Sequence, residues 1–239
     1  MTNNIINNNI KYNDYEMNIL SYKEALELDK RTYFQYYHSL LKKKHLLLFT
    51  FCPAKDYNLF SLKISLFLVN FSLYFAMNCF FFSDDTMHKI YIDNGAYRII
   101  YQLPQIIYTI LISGFSNRIL KLLSLSERDF IELKHEKNYT TMVSKSKTVK
   151  RCLVIKFVIF FILNFLLLFF FWYFISCFCA VFPKTQIILI IDSFLSFGTT
   201  LIYPFFLNLI PGILRIPSLK STKKDKRCLY MTGRLLSFV

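Results

Sequence analysis

The chain alternates between long apolar runs and shorter polar, mostly basic segments, and four of the runs are long enough to cross a bilayer. They cover about residues 59–82, 99–120, 157–179 and 187–210. The third is the clearest: Phe157–Cys179 has no charged residue, and 17 of its 23 positions are Leu, Ile, Val or Phe. As a helix it would measure roughly 34 Å at ~1.5 Å per residue, against a hydrocarbon core of ~30 Å. It is apolar on every side, so no face of it suits water. The pattern predicts an all-α integral membrane protein with about four transmembrane helices and an N-terminal amphipathic cytosolic helix.

The intervening segments read as follows. Residues 1–20 are Asn-rich, lack the apolar core and cleavage site of a signal peptide, and are expected to be a disordered tail. Residues 21–57 are expected to form an amphipathic juxtamembrane helix and a short apolar hook. Ser21 and Glu24 stand at capping-box spacing. Tyr22, Leu26, Tyr33, Tyr36, Tyr37, Leu40 and Leu41 then recur at helical intervals opposite Lys23, Glu27, Asp29, Lys30 and Gln35. His45–Cys52 is apolar but too short to cross, and Pro53 ends it. Residues 58–214 are expected to form the four-span membrane domain, which includes a basic cytosolic loop, 121–156. Ser124 and Glu127 there predict a short capped helix, followed by a flexible linker. Residues 215–239 are expected to be a basic cytosolic tail. Within the spans, Lys63 is placed to snorkel outward, Pro104 lies in tolerated early turns, Trp172 and Tyr173 mark an interface, and Pro204 predicts a kink.

Charge then suggests an orientation. Lys and Arg number 29 against 15 acids, a net charge of +14. With four spans, 26 of the basic residues fall on one side and 3 on the other. The positive-inside rule then predicts both termini in the cytosol. Asn138, in an Asn-Tyr-Thr sequon, is accordingly expected to stay unmodified. Basic residues beside spans are normally orientation signals and contacts to anionic lipid, so the expected partner is the anionic cytosolic leaflet and not nucleic acid. Lys42, Lys43, Lys44, Lys223, Lys224, Lys226 and Arg227 are the expected lipid contacts, with membrane-protein partners or a homo-oligomer beside them. The six cysteines form no CxxC pair and no spacing of a disulfide framework.

Candidate chemistry is sparse. Asn70, Asn78, Asn164, Asp192 and Asn208 are the polar positions singled out in or near the spans, for transport or for packing. Asp192 has three readings. If the fourth span begins at Ser193 it sits at the interface near Lys184; otherwise it is an intramembrane ion or proton site, or a packing partner of another helix. Asp84, Asp85, His88 and Asp93 share one segment but match no metal-ligand spacing. The sequence carries no GxGxxG, P-loop, GxSxG or HExxH. No catalytic, cofactor-binding or metal residue is predicted, and an enzyme is not expected.

The strings DKRTYFQYYHSLLKKKHLLLFTF, FFFSDDTMHKIYIDNGAYRIIYQLPQIIY, LKLLSLSE, FWYFISCFCAVFPKTQIILIIDSFLSFG and YPFFLNLIPGILRIPSLK resemble a family of uncharacterised multi-pass membrane proteins encoded by protists. The likeness runs from about Asn13 to Lys220. It implies a membrane protein, often the carboxy-terminal part of a longer chain, with a lysine before the acid of the last span. Here that position is Ile191. The resemblance implies no activity, cofactor or catalytic residue. The expected function is a non-enzymatic anchor or scaffold subunit of a membrane complex, and the alternative is a subunit of an ion channel or small-solute transporter with a polar path near Asp192.

Overall fold

The computed structural model describes residues 12–53, 56–134, 136, 138–220 and 226–237, and among these there is no β-strand. Four helices are long and apolar enough to cross a membrane, as the hydropathy pattern predicts. The chain divides into two compact units, one of residues through Tyr57 and from Tyr203 onward, the other Asn58–Ile202. By contacts, the last part of the fourth apolar run groups with the N-terminal helices.

The first unit opens with helices α1 (Asp14–Ile19), α2 (Tyr22–Leu28), α3 (Tyr33–Lys44) and α4 (Leu46–Phe51). The expected disordered tail is therefore helical from Asp14, while residues 1–11 lie outside the described residues. The single amphipathic helix expected from Ser21 is two helices, each opened by its own capping box, Ser21 with Glu24 and Thr32 with Gln35. A second box so soon after the first restarts the chain, because Thr32 takes an extended backbone to cap α3. Asn13 and Glu16 box α1 in the same way. His45 Nδ1 accepts the Leu48 N–H and opens α4. The expected tail is also ordered where it is described: α11 (Leu209–Lys220) and α12 (Arg227–Leu236) pack closely on each other.

Buried Arg215 organises this unit. Its guanidinium donates to Met17 O (2.6 Å), Asn18 O (2.8 Å) and Asp29 Oδ2 (2.9 Å), and it lies between the rings of Tyr36 and Tyr230 at 5.0 and 4.8 Å. The last carbonyls of α1, the end of α2 and the faces of α3 and α12 thus converge on one cation. Asp29 also accepts a two-pronged bond from Arg31 at 2.8 and 2.9 Å. Burial raises the Asp29 carboxyl, but the hydrogen bonds and charges of Arg31 and Arg215 outweigh it and leave it below the ordinary carboxylate value.

The second unit is built on α5 (Phe60–Phe80), with 56% of its apolar stretch buried, against 17% in α9 (Tyr139–Val181). So α5 is the hub and α9, which contains Phe157–Cys179, presents most of its surface outward. Lys63 is buried on the first turn of α5 instead of snorkelling out. Next come α6 (Asp84–Ile92), α7 (Ile99–Ser124), α8 (Glu127–Lys134) and α9. The linker expected to be flexible after α8 is helical from Tyr139, so α9 runs for 43 residues. The expected Ser124 cap is also corrected. Ser124 ends α7, with its hydroxyl on Lys121 O, and Asn58 instead holds the turn before α8 through Ser126 N and Glu127 Oε1.

A 3₁₀ turn (Pro183–Thr185) leads into α10 (Gln186–Leu207). Phe71 and Tyr74 meet Phe197, and Phe75 meets Phe194, edge-on with centroids 5.3–5.9 Å apart. Such pairs contribute about 0.5–1.5 kcal/mol each beyond their burial, and here they fix the rotation of α10 against α5. The helix of the fourth apolar run breaks at Asn208, and Pro204 lies inside α10. Pro211 explains this: it has no N–H to give Leu207 O, and its ring crowds that carbonyl, whereas it is tolerated in the first turn of α11.

Candidate functional site

The apolar second unit encloses one polar cluster, made by α5, α7 and α10 and closed by the segment before α7. After α6 the chain reverses through Asn94 and Gly95, both with left-handed backbone (φ +53° and +85°). Gly95 suits that conformation, having no Cβ to clash. The reversal carries Tyr97 over the start of α10. There its hydroxyl donates to Asp192 Oδ1 at 3.1 Å.

Asp192 lies in the second turn of α10 and is 0% exposed. The side chain is therefore packed inside the protein, whichever of its three positions relative to the bilayer applies. It is not beside Lys184, whose ammonium sits over the Tyr91 ring at 4.1 Å. Its other oxygen, Oδ2, accepts Gln105 Nε2 at 3.3 Å. Gln105 Nε2 also reaches Asn78 Oδ1 at 3.5 Å, and Thr109 Oγ1 donates to the same Oδ1 at 3.2 Å. Asn78 Nδ2 in turn donates to Tyr74 O (2.9 Å), Ser196 Oγ (3.3 Å) and Ser193 Oγ (3.4 Å), and Ser196 Oγ donates to Asp192 O (2.7 Å). Asn78, Thr109, Asp192, Ser193 and Ser196 are all fully buried.

The electrostatics are unbalanced. Among the described residues no lysine or arginine forms an ion pair with Asp192. Its hydrogen-bond partners are neutral, and neutral donors only partly repay the several kcal/mol that burial of an ion costs. Tyr97, just before the second span, stays a donor: burial first, then the Asp192 charge and hydrogen bond, push its hydroxyl up to about 12.

Polar atoms continue along α7. Gln102, Gln105, Thr109 and Ser113 follow one another at intervals of three, four and four, which places them on one face of the helix. Gln102 Oε1 and Nε2, Gln105 Oε1 and Ser113 Oγ are buried and have no protein partner. Each such atom costs about 1–3 kcal/mol unless something hydrogen-bonds to it.

Of the sequence-predicted residues, Asn78 and Asp192 are brought into one network, with Gln105 between them. Asn70 and Asn164 are buried on α5 and α9, each with a side-chain oxygen lacking a partner, and neither bonds into the cluster. Asn208 belongs to the first unit and is used locally, its Nδ2 donating to Pro204 O at 2.7 Å. Lys42, Lys43 and Lys44 form the last turn of α3, with the Lys43 ammonium 3.7 Å over the Tyr15 ring. Lys226 and Arg227 open α12, whereas Lys223 and Lys224 lie outside the described residues. Among the described residues no three His, Cys, Asp or Glu side chains are grouped to hold a metal ion.

The sequence reading passed over Tyr97, Gln102, Gln105, Thr109, Ser193 and Ser196. The helical spacing of Gln102, Gln105 and Thr109 inside an apolar run was the available signal. Comparison with known proteins finds no matching family model, no matching curated protein and no matching solved structure, so the functional reading rests on this geometry.

Proposed function

We propose that the chain is a multi-pass membrane protein that conducts or carries small cations, with Asp192 as the group that binds them in passage. One observation carries the reading: a carboxylate enclosed by three apolar helices with no basic partner among the described residues. An ionisable group at that depth takes up a cation or a proton, and such groups mark ion pathways in membrane proteins. The cluster around it supplies hydroxyl and amide dipoles in place of bulk water. Both termini face the cytosol in this reading, supported by the distribution of basic residues.

The test is flux. Purified protein in liposomes is expected to raise permeability to at least one small cation (H⁺, Na⁺ or K⁺) above that of protein-free vesicles, and Asp192→Asn is expected to remove most of the increase. Vesicles no more permeable than empty ones to all three ions overturn the reading.

A scaffold role is the second reading, favoured by the continuation of α9. Its segment 139–156 is helical and carries Lys145, Lys147, Lys150 and Arg151, which suits a basic docking post for an acidic partner or anionic lipid. Purification in mild detergent tests this. Retention of a stoichiometric partner that Lys147→Glu/Lys150→Glu/Arg151→Glu releases supports the role, and recovery of the chain without one contradicts it.

A further inference from the structure

We infer that the cation handled at Asp192 is the proton, and that the polar face of α7 provides the route by which it leaves the site. The inference rests on the cation reading above and names its substrate. A metal cation needs several oxygen lone pairs turned toward it, six or more for the common divalent ions. The cluster offers the opposite arrangement. Both carboxylate oxygens already accept a donor, Tyr97 O–H on Oδ1 and Gln105 N–H on Oδ2. Asn78 Oδ1 accepts from both Gln105 and Thr109. A proton needs a single lone pair, and each carboxylate oxygen keeps one beyond the hydrogen bond it accepts.

The route follows from the unpartnered atoms. From Gln102 to Ser113 the polar face spans about 16 Å at ~1.5 Å per residue. Gln102 and Ser113 are 0% exposed, yet their side-chain polar atoms meet no protein group. Buried polar atoms of this kind are typically satisfied by water, which makes about three hydrogen bonds per molecule. Gln105, Thr109 and Ser113 therefore line a file of hydrogen-bonding groups running from Asp192 toward the far end of α7, and Gln102, one turn before Gln105, extends the same face toward the start of the helix. At the other end, partly buried Tyr97 links Asp192 to the segment between α6 and α7.

The transfer step is simple. The O–H bond of the protonated Asp192 carboxyl breaks, its electron pair stays on the carboxylate, and the proton bonds to water at the α7 face. A second proton arriving through water beside Tyr97 restores the carboxyl group. Tyr97 is the titratable group in contact with Asp192, while α5, α7 and α10 present amides and hydroxyls from Asn78, Gln105, Thr109, Ser193 and Ser196. The step uses no oxidant and no co-reactant.

The experiment measures flux in liposomes carrying a pH-sensitive dye, under an imposed potential. It is run once with Na⁺ or K⁺ and once with both replaced by an impermeant organic cation. Proton flux is expected to persist without metal cations. Gln102→Leu combined with Ser113→Val is expected to lower it at least tenfold, whereas Ser113→Thr, which keeps the hydroxyl, retains it. Flux of Na⁺ or K⁺ without proton flux overturns the substrate assignment and leaves the cation reading standing. Wild-type proton flux in the Gln102→Leu/Ser113→Val variant overturns the route. Absence of flux for every ion overturns the inference together with the reading beneath it.

Discussion

Replacing Arg215 by Ala should open the first unit far more than the loss of one exposed arginine would. The side chain is fully buried and donates to Met17 O, Asn18 O and Asp29 Oδ2, each at 2.9 Å or less. Asp29 keeps its neutraliser, because Arg31 grips both carboxylate oxygens. The cost therefore lies mainly with the two orphaned carbonyls and the emptied space between Tyr36 and Tyr230. Two carbonyls orphaned at about 1–3 kcal/mol each, with the packing lost between the rings, come to about 3–5 kcal/mol. At ~1.36 kcal/mol per factor of ten this is roughly a 150- to 5,000-fold rise in local opening. Hydrogen exchange in detergent reads it directly, from amides of α1 and α12 in wild type and variant. Arg215→Lys should fall between the two, since a single ammonium cannot reproduce the guanidinium's fork. Exchange in Arg215→Ala within threefold of wild type would refute the claim that Arg215 holds these helices together.

Other outcomes follow from the same geometry. The Asp29 carboxyl is held below its ordinary value, so its stabilising contribution is complete above the unfolded value of about 3.9 and is lost as pH falls through the folded value. Exchange of α1 should accordingly accelerate below about pH 4, and that acid-dependent part should be missing in Asp29→Asn. A Cβ at Gly233 would lie 3.1–3.2 Å from Pro211 O, Arg215 N and Leu214 Cβ, so Gly233→Val should push α12 off α11 at a cost of about 1–3 kcal/mol, seen as faster hydrogen exchange of the α12 amides. Asn78→Leu removes the amide that bridges α5 to α7 and α10, and should lower thermal stability in detergent by about 1–3 kcal/mol by leaving the buried Thr109 hydroxyl without its acceptor.

What the sequence made legible is what one-dimensional hydropathy encodes. Length and apolarity identify four helices able to cross a membrane, and the uniform apolar surface of Phe157–Cys179 matches its outward placement on α9. Local chemistry was read less fully. The Ser21–Glu24 box was seen, but the Thr32–Gln35 box was not, so two helices were read as one. Pro211, four residues beyond Leu207, blocks that carbonyl and sets the break at Asn208, a consequence that the expected kink at Pro204 does not contain. The site itself is a long-range object. Asn78, Gln105 and Asp192 meet across separations of 27 and 87 residues, and no local pattern records which faces of three apolar helices turn together. Arg215 was hidden for the same reason: a basic residue after a span resembles an orientation signal until Asp29, 186 residues away, is seen against it.

Ion passage through this cluster requires Asp192 to exchange its cation, and infrared titration of the purified protein in lipid reports this most directly. Wild type is expected to show a protonated-carboxyl band that disappears on alkalinisation and is absent from Asp192→Asn, with the remaining spectrum unchanged. Wild-type and variant spectra that superimpose at every pH would contradict it.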